Sequence, residues 1–134
     1  MSIKLPVVTR NLFPAPVAAV ATPDAEAHNA ELRTLILERR RTTRSMAASN
    51  AGGWHSDRDL LAWGGVRAAE VVEMARAVPT QLTRDREGRD VRPAWIVSAW
   101  ANVNGSGDSN FCHYHPGSFW SGTYYVDDGG VLDD

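Results

Sequence analysis

The hydrophobic pattern along this chain changes period partway through. Residues 3–21 alternate short apolar groups with prolines, which predicts one or two edge strands with turns, since proline cannot donate to a ladder. Thr22-Pro23-Asp24 then offers an N-cap and a proline for the first helical position. Leu32, Leu35, Ile36 and Arg39 follow at helical spacing and predict a helix over roughly 23–41. Residues 45–56, rich in Ser, Asn and Gly, read as loop closing on Trp54-His55. Ser56-Asp57-Arg58-Asp59 resembles a capping box with Asp where Glu is usual, and a second helix should start there. Gly64-Gly65 breaks or kinks it. Beyond the break Ala68, Val71, Val72, Ala75 and Val78 form an apolar stripe ending at Pro79.

Residues 80–90 are polar and charged and predict an exposed connection or a hairpin turn centred on Glu87-Gly88. After them the period becomes two. Trp95, Val97, Ala99, Ala101 and Val103 share one face, read as core, while Ile96, Ser98, Trp100, Asn102 and Asn104 share the other. Gly105-Ser106-Gly107-Asp108 turns the chain, Pro116-Gly117 turns it again, and residues 118–126 read as a further strand. Helices followed by short strands predict an α+β or mainly β domain, with helices packed on one side of a sheet.

A length of 134 residues, 43% hydrophobic and 22% charged, suits one domain spanning residues 1–134, helical to about residue 90 and β from 91 onward. The net charge of -2 gives no electrostatic case for a nucleic-acid or anionic-membrane partner. Arg39-Arg40-Arg41 reads as a solvated helix end, where cations complement the macrodipole. A single cysteine, Cys112, rules out an intrachain disulfide and fits a reducing compartment or a chain indifferent to oxidation. Pro6, Pro14 and Pro16 interrupt the apolar start where a signal peptide would keep a continuous helix, and no run approaches a membrane span. A soluble, cytoplasmic protein is the expectation.

Chemistry concentrates in residues 100–126. In an extended segment His113 and His115 point the same way and Tyr114 the other, so two imidazoles, common ligands for iron, zinc and copper, are presented together. Such a pair also arises in hydrogen-bonded cores. The Gly-rich turn before it and Pro-Gly after it place both rings at a strand end beside loops, where small-ligand sites are found. Cys112 should face away from the same metal. Trp100 and Trp120 read as wall or core, and His55, beside Trp54, as packing.

The run WANVN with the following HYHPGSFWSGTYYV, together with the upstream SNAGGWHSDRDL, resembles a family of bacterial and phage 2-oxoglutarate/Fe(II)-dependent oxygenases from about Ser49 onward. HPGS and SGTYYV are its most specific part. The resemblance implies a double-stranded β-helix of jelly-roll or cupin-like type with helices packed on it, Fe(II) and 2-oxoglutarate as cofactors, and hydroxylation of an unidentified small-molecule or peptide substrate. By position, His113 and His115 fall on the first metal motif. The family's wider superfamily usually has a carboxylate where His115 stands, so either His115 replaces it as a ligand or one histidine binds alone. Asn102 and Asn104, with Ser121, Thr123 and Tyr125, offer amide and hydroxyl donors suited to the dicarboxylate. For each of them the alternative is a satisfied polar group or core aromatic.

The resemblance also implies a second half of the barrel with a distant ligand histidine and a basic residue for the keto acid. After Tyr125 this sequence has no His, Lys or Arg. The expectation is that this second half is missing from the chain and is supplied by a C-terminal segment or a homo-oligomeric partner. The alternatives are a non-catalytic cupin-like module that holds zinc or another ligand, and an inactive truncated fragment.

Overall fold

A computed structural model describes residues 15–130. The edge strands expected over residues 3–21 fall largely outside them, and residues 15–21 form no strand. The described chain is α+β, in the order α1 (Ala25–Thr42), β1 (Asn50–Ala51), β2 (Trp54–His55), α2 (Leu60–Trp63), α3 (Gly65–Leu82), β3 (Asn102–Val103) and β4 (Ser109–Asn110).

Helix α1 forms where the spacing places it and buries His28, Leu32 and Ile36, one residue per turn along a single stripe. Leu35, expected on the same face, is exposed. Thr22 does not cap the helix. Asp24 occupies the N-cap position in the left-handed conformation, with φ 51°, and no side chain caps the first turn. At the other end three arginines occupy the last turn, complementing the orphan carbonyls. Only part of that run is solvated, however: the Arg39 guanidinium lies 5.5 Å from the Trp63 ring and 3.5 Å from the Asp59 carboxylate.

The capping box at Ser56 does not form. Ser56 is fully buried, and its hydroxyl accepts from the Ala101 N–H at 3.0 Å and donates to the Asp57 carbonyl at 2.7 Å. A hydroxyl already committed to a neighbouring strand is not free to cap, so α2 begins one turn later with Asp59 at its N-cap. The break at Gly64-Gly65 stands as the sequence predicts. Helix α3 runs through Pro79 to Leu82 instead of stopping at the proline. Pro79 sits in the last turn, is buried with Ala68 and Val72, and accepts from the Thr83 N–H at 2.8 Å. Its ring continues the apolar stripe, which offsets the one intrahelical bond it cannot make. Ala75, expected in that stripe, is exposed.

Residues 99–111 return antiparallel along residues 49–56. Strand β2 pairs with β3, Trp54 opposite Val103 and His55 opposite Asn102; β1 pairs with β4, Asn50 opposite Asn110. Between β1 and β2 the chain turns through Gly52 and Gly53, both at positive φ. A Cβ on Gly52 would collide with the Asp108 carboxylate, and one on Gly53 with the Asn104 carboxamide. Beyond these pairs Ser56 N–H donates to the Ala101 carbonyl at 2.9 Å, and Asp59 and Ala99 form an isolated parallel bridge, with Leu60 N–H donating to the Ala99 carbonyl at 3.3 Å. Burial alternates along residues 95–104 as the period-two pattern predicts, with one exception. Ala101 is buried, Trp95, Val97, Ala99 and Val103 are half-buried, and Ile96, Ser98, Asn102 and Asn104 are exposed, but Trp100 on the open face is half-buried against His55 and His115. The core joins Leu32 and Ile36 of α1, Trp54, Leu60 of α2, Ala68 of α3 and Ala101.

The turn at Glu87-Gly88 is present, closed by an antiparallel bridge between Arg84 and Asp90, as are those at 105–108 and 116–117. The predicted strand over 118–126 is not. That segment has no ladder partner among the described residues, and an extended backbone becomes a strand only when its N–H and C=O groups find one. The described residues accordingly form two two-stranded sheets and no closed barrel. No helix among them is long and apolar enough to cross a membrane.

Candidate functional site

The imidazole pair sits where the chain leaves β4. Phe111 is still tied to the sheet, its N–H donating to the Ser49 carbonyl at 2.7 Å, and Ser118 N–H closes the Pro116-Gly117 turn on the His115 carbonyl at 3.1 Å. Between these two points the chain forms neither helix nor strand, and the rings of His113 and His115 lie together, with centroids 4.8 Å apart at 76° in an edge-to-face arrangement. Tyr114 projects away and is exposed, as is the free thiol of Cys112.

His113 Nδ1 lies 2.7 Å from the Phe111 carbonyl. A carbonyl only accepts, so Nδ1 carries the proton and the Nε2 lone pair is left outward for a metal, the arrangement by which ligand histidines are fixed. His115 is half-buried because the Trp100 ring covers it, with centroids 5.6 Å apart at 41°. On its other contact Trp100 stacks on His55 at 5.6 Å and 15°, and the Arg58 guanidinium lies 5.6 Å from the Trp100 ring.

Two imidazoles, both chemically able to ligate a metal, thus lie side by side. Among the described residues no group of three or more His, Cys, Asp and Glu side chains is placed to hold one. The remaining candidate residues are not gathered equally. Asn102 stands opposite His55 in the sheet, and Asn104 lies over Gly53, so both continue the face that carries Trp100. Ser121 and Tyr125 are exposed on the C-terminal segment, and no side-chain hydrogen bond ties either to the imidazoles. Their neighbours anchor that segment instead. The Trp120 indole donates to Thr83 Oγ at 2.9 Å, Tyr124 OH donates to Asn29 Oδ1 at 2.7 Å, and Arg33 bonds Asp127 at 2.9 Å. The backbone N–H of Gly129, followed by Arg33, holds the Asp127 carboxyl below its usual range.

A second polar cluster lies between α1 and α3. Buried His28 approaches the Glu70 carboxylate with Nδ1 at 3.2 Å and meets the Tyr124 ring edge-on at 5.8 Å. Arg67 bridges Glu31 and Glu70 at 2.9 and 3.0 Å, and its hydrogen bond holds the Glu31 carboxyl below the usual range. Two shallow surface grooves flank this cluster, one along Val66, Glu73 and Ala77 of α3 and one lined by Thr22, Asp24, His28 and Arg67. Neither reaches the imidazole pair.

Arg58, and the contact of His55 with the site through Trp100, escape sequence reasoning. The sequence signals only that His55 adjoins Trp54 at the end of a loop and that Trp100 lies in a period-two stretch; the register that brings the two together comes from the fold. Compared with known proteins, the chain as a whole matches no curated protein and no solved structure. The family model described as "Putative 2OG-Fe(II) oxygenase" matches residues 98–134, which start well after Ser49 and contain Trp100, Asn102, Asn104, both imidazoles, Ser121 and Tyr125.

Proposed function

We propose that the chain carries part of an Fe(II)- and 2-oxoglutarate-dependent oxygenase site that hydroxylates a small-molecule or peptide substrate. The observation that carries this reading is the side-by-side placement of the His113 and His115 rings inside the stretch that matches the oxygenase family. Both histidines would hold the metal, His113 through Nε2. A ligand set with open positions for the keto acid and dioxygen needs one more protein ligand, ordinarily a carboxylate or a third imidazole. When bound, iron with the keto acid supplies the oxidising chemistry that no side chain here can perform. The protein's own part is to present the two imidazoles, to offer the amides of Asn102 and Asn104 and the hydroxyls of Ser121 and Tyr125 to the keto acid, and to wall the site with Trp100.

Completion of the sheet by a further segment or a second copy belongs to the same proposal. Ile96, Phe111, Tyr114, Phe119 and Tyr125 are all exposed along residues 96–125, a run of large apolar and aromatic side chains that a further segment or copy would cover. Anaerobic titration with Fe(II) and 2-oxoglutarate tests the reading. A visible metal-to-ligand charge-transfer band should appear, and His113→Ala or His115→Ala should abolish it. No band from the unaltered protein counts against the oxygenase. Tightly held zinc that iron cannot displace would favour the cupin-like binding module.

A further inference from the structure

Four rings lie in contact, in an order that runs from the core outward. His55 is 3% exposed, Trp100 and His115 are half-buried, and His113 is exposed. Successive centroids are 5.6 Å apart from His55 to Trp100, 5.6 Å from Trp100 to His115 and 4.8 Å from His115 to His113. We propose that His55 and Trp100 are positioning residues for the imidazole pair: a ring stack rooted in the sheet that fixes the orientation of His115. This rests on the metal-binding reading above.

The root of the stack is rigid. His55 Nδ1–H donates to the Ser56 carbonyl at 2.6 Å, which sets both its tautomer and its ring plane. The next residue locks the partner strand from both directions, Ser56 N–H to the Ala101 carbonyl at 2.9 Å and Ala101 N–H to the Ser56 hydroxyl at 3.0 Å. His55 and Trp100 are therefore held by backbone bonds on either side of their contact, and the near-parallel 15° stack leaves the indole little freedom to tilt. Arg58 adds a cation over the same indole at 5.6 Å. His115, four residues past the last sheet bond at Phe111, has no side-chain hydrogen bond of its own among the described residues. Its orientation comes from the indole. A ligand whose ring is already immobilised loses less conformational freedom on metal binding, so removing the support should weaken binding without removing a ligand.

Cobalt(II) alone is a suitable probe, because its ligand-field absorption reports ligand orientation and its binding quenches nearby indole fluorescence. The unaltered protein should bind Co(II) with quenching that Trp100→Leu removes. His55→Ala and Trp100→Leu should each weaken Co(II) binding by about 10-fold, the usual effect of losing a residue that orients a ligand, and should alter the ligand-field bands. His55→Phe, which keeps a ring on the indole, should restore binding and band shape. A purely structural role would lower the unfolding midpoint and leave the bands of the folded variants unchanged. Should His55→Ala fail to fold, judged by circular dichroism, Trp100→Leu at its half-exposed position and the ring-preserving His55→Phe carry the test. Folded variants that bind Co(II) as the unaltered protein does would overturn the positioning role alone; no binding by the unaltered protein would overturn the metal-binding reading with it.

Discussion

Residues 25–82 bury apolar groups against one another, whereas residues 111–130 only cover that unit, through side-chain hydrogen bonds and the partly buried Tyr124 and Val126 that pack on its core. In the first region Leu32, Ile36, Leu60, Ala68 and Val72 are buried, and the helix periods account for nearly all of them. In the second no residue is buried; Trp120 and Tyr124 reach the helices by one hydrogen bond each. Residues 91–104 lie between these extremes, with one face packed and the other open. The candidate site falls at the junction: its root, His55, is in the buried unit and its ends, His113 and His115, are in the suspended one. A site divided in this way can be disturbed from either side with different consequences for stability.

The largest contrast should come from two aromatic substitutions. Trp54→Ala removes a core ring whose indole also donates to the Thr43 carbonyl, and should cost about 3–5 kcal/mol in denaturant unfolding. Tyr114→Ala, at a ring that is 82% exposed, should stay within about 0.5 kcal/mol. Comparable losses at both sites would break the comparison. Ser56→Ala leaves the Ala101 N–H without its acceptor in a buried setting and should cost about 1–3 kcal/mol, read from the same unfolding curves.

Within the suspended segment, Tyr124→Phe removes the bond to Asn29 while keeping the ring against His28, at a cost of about 1 kcal/mol. The sharper readout is limited proteolysis, in which cleavage within residues 118–130 should speed up while the helical unit stays intact. The smallest effect should be that of Asp127→Asn. Asp127 has a depressed folded-state pKa, so its contribution to stability is present above the unfolded-state value and is lost as pH falls through the folded one. The difference between wild type and variant should therefore be seen at neutral pH, shrink as pH falls below about 4 and vanish below the folded-state value, followed by thermal unfolding across pH. A difference that persisted in acid would mean that the Arg33 contact does not tether the segment.

Much of the helical unit is legible in the sequence because each buried position of α1 and α3 recurs within the element itself. The misreadings there share one cause. Ser56 looks like a cap, Leu35 and Ala75 look like core, and Pro79 looks like a stop when only local spacing is considered. Their environments are set by residues far along the chain: Ala101 claims the Ser56 hydroxyl, and burial of the Pro79 ring lets the helix continue. The alternation along 95–104 is equally legible, since one side of that segment packs and the other, apart from Trp100, does not. Residues 118–126 carry strand-forming side chains but pair with nothing among the described residues, a fact that composition does not contain.

By itself, then, the sequence determined the two helix stripes, the period-two face that reaches Ala101 and Val103, the glycine turns, and the shared side of His113 and His115. Each follows from chain geometry over a few residues, where side-chain direction depends on spacing alone. The tertiary structure decided what those groups meet: that His55, which reads as packing, stands behind Trp100 and so behind His115, and that Thr80, Thr83 and Asn29 receive Trp95, Trp120 and Tyr124. Such contacts join residues separated by 15 to 95 positions, and their partners are chosen by register and helix packing, which no local pattern encodes.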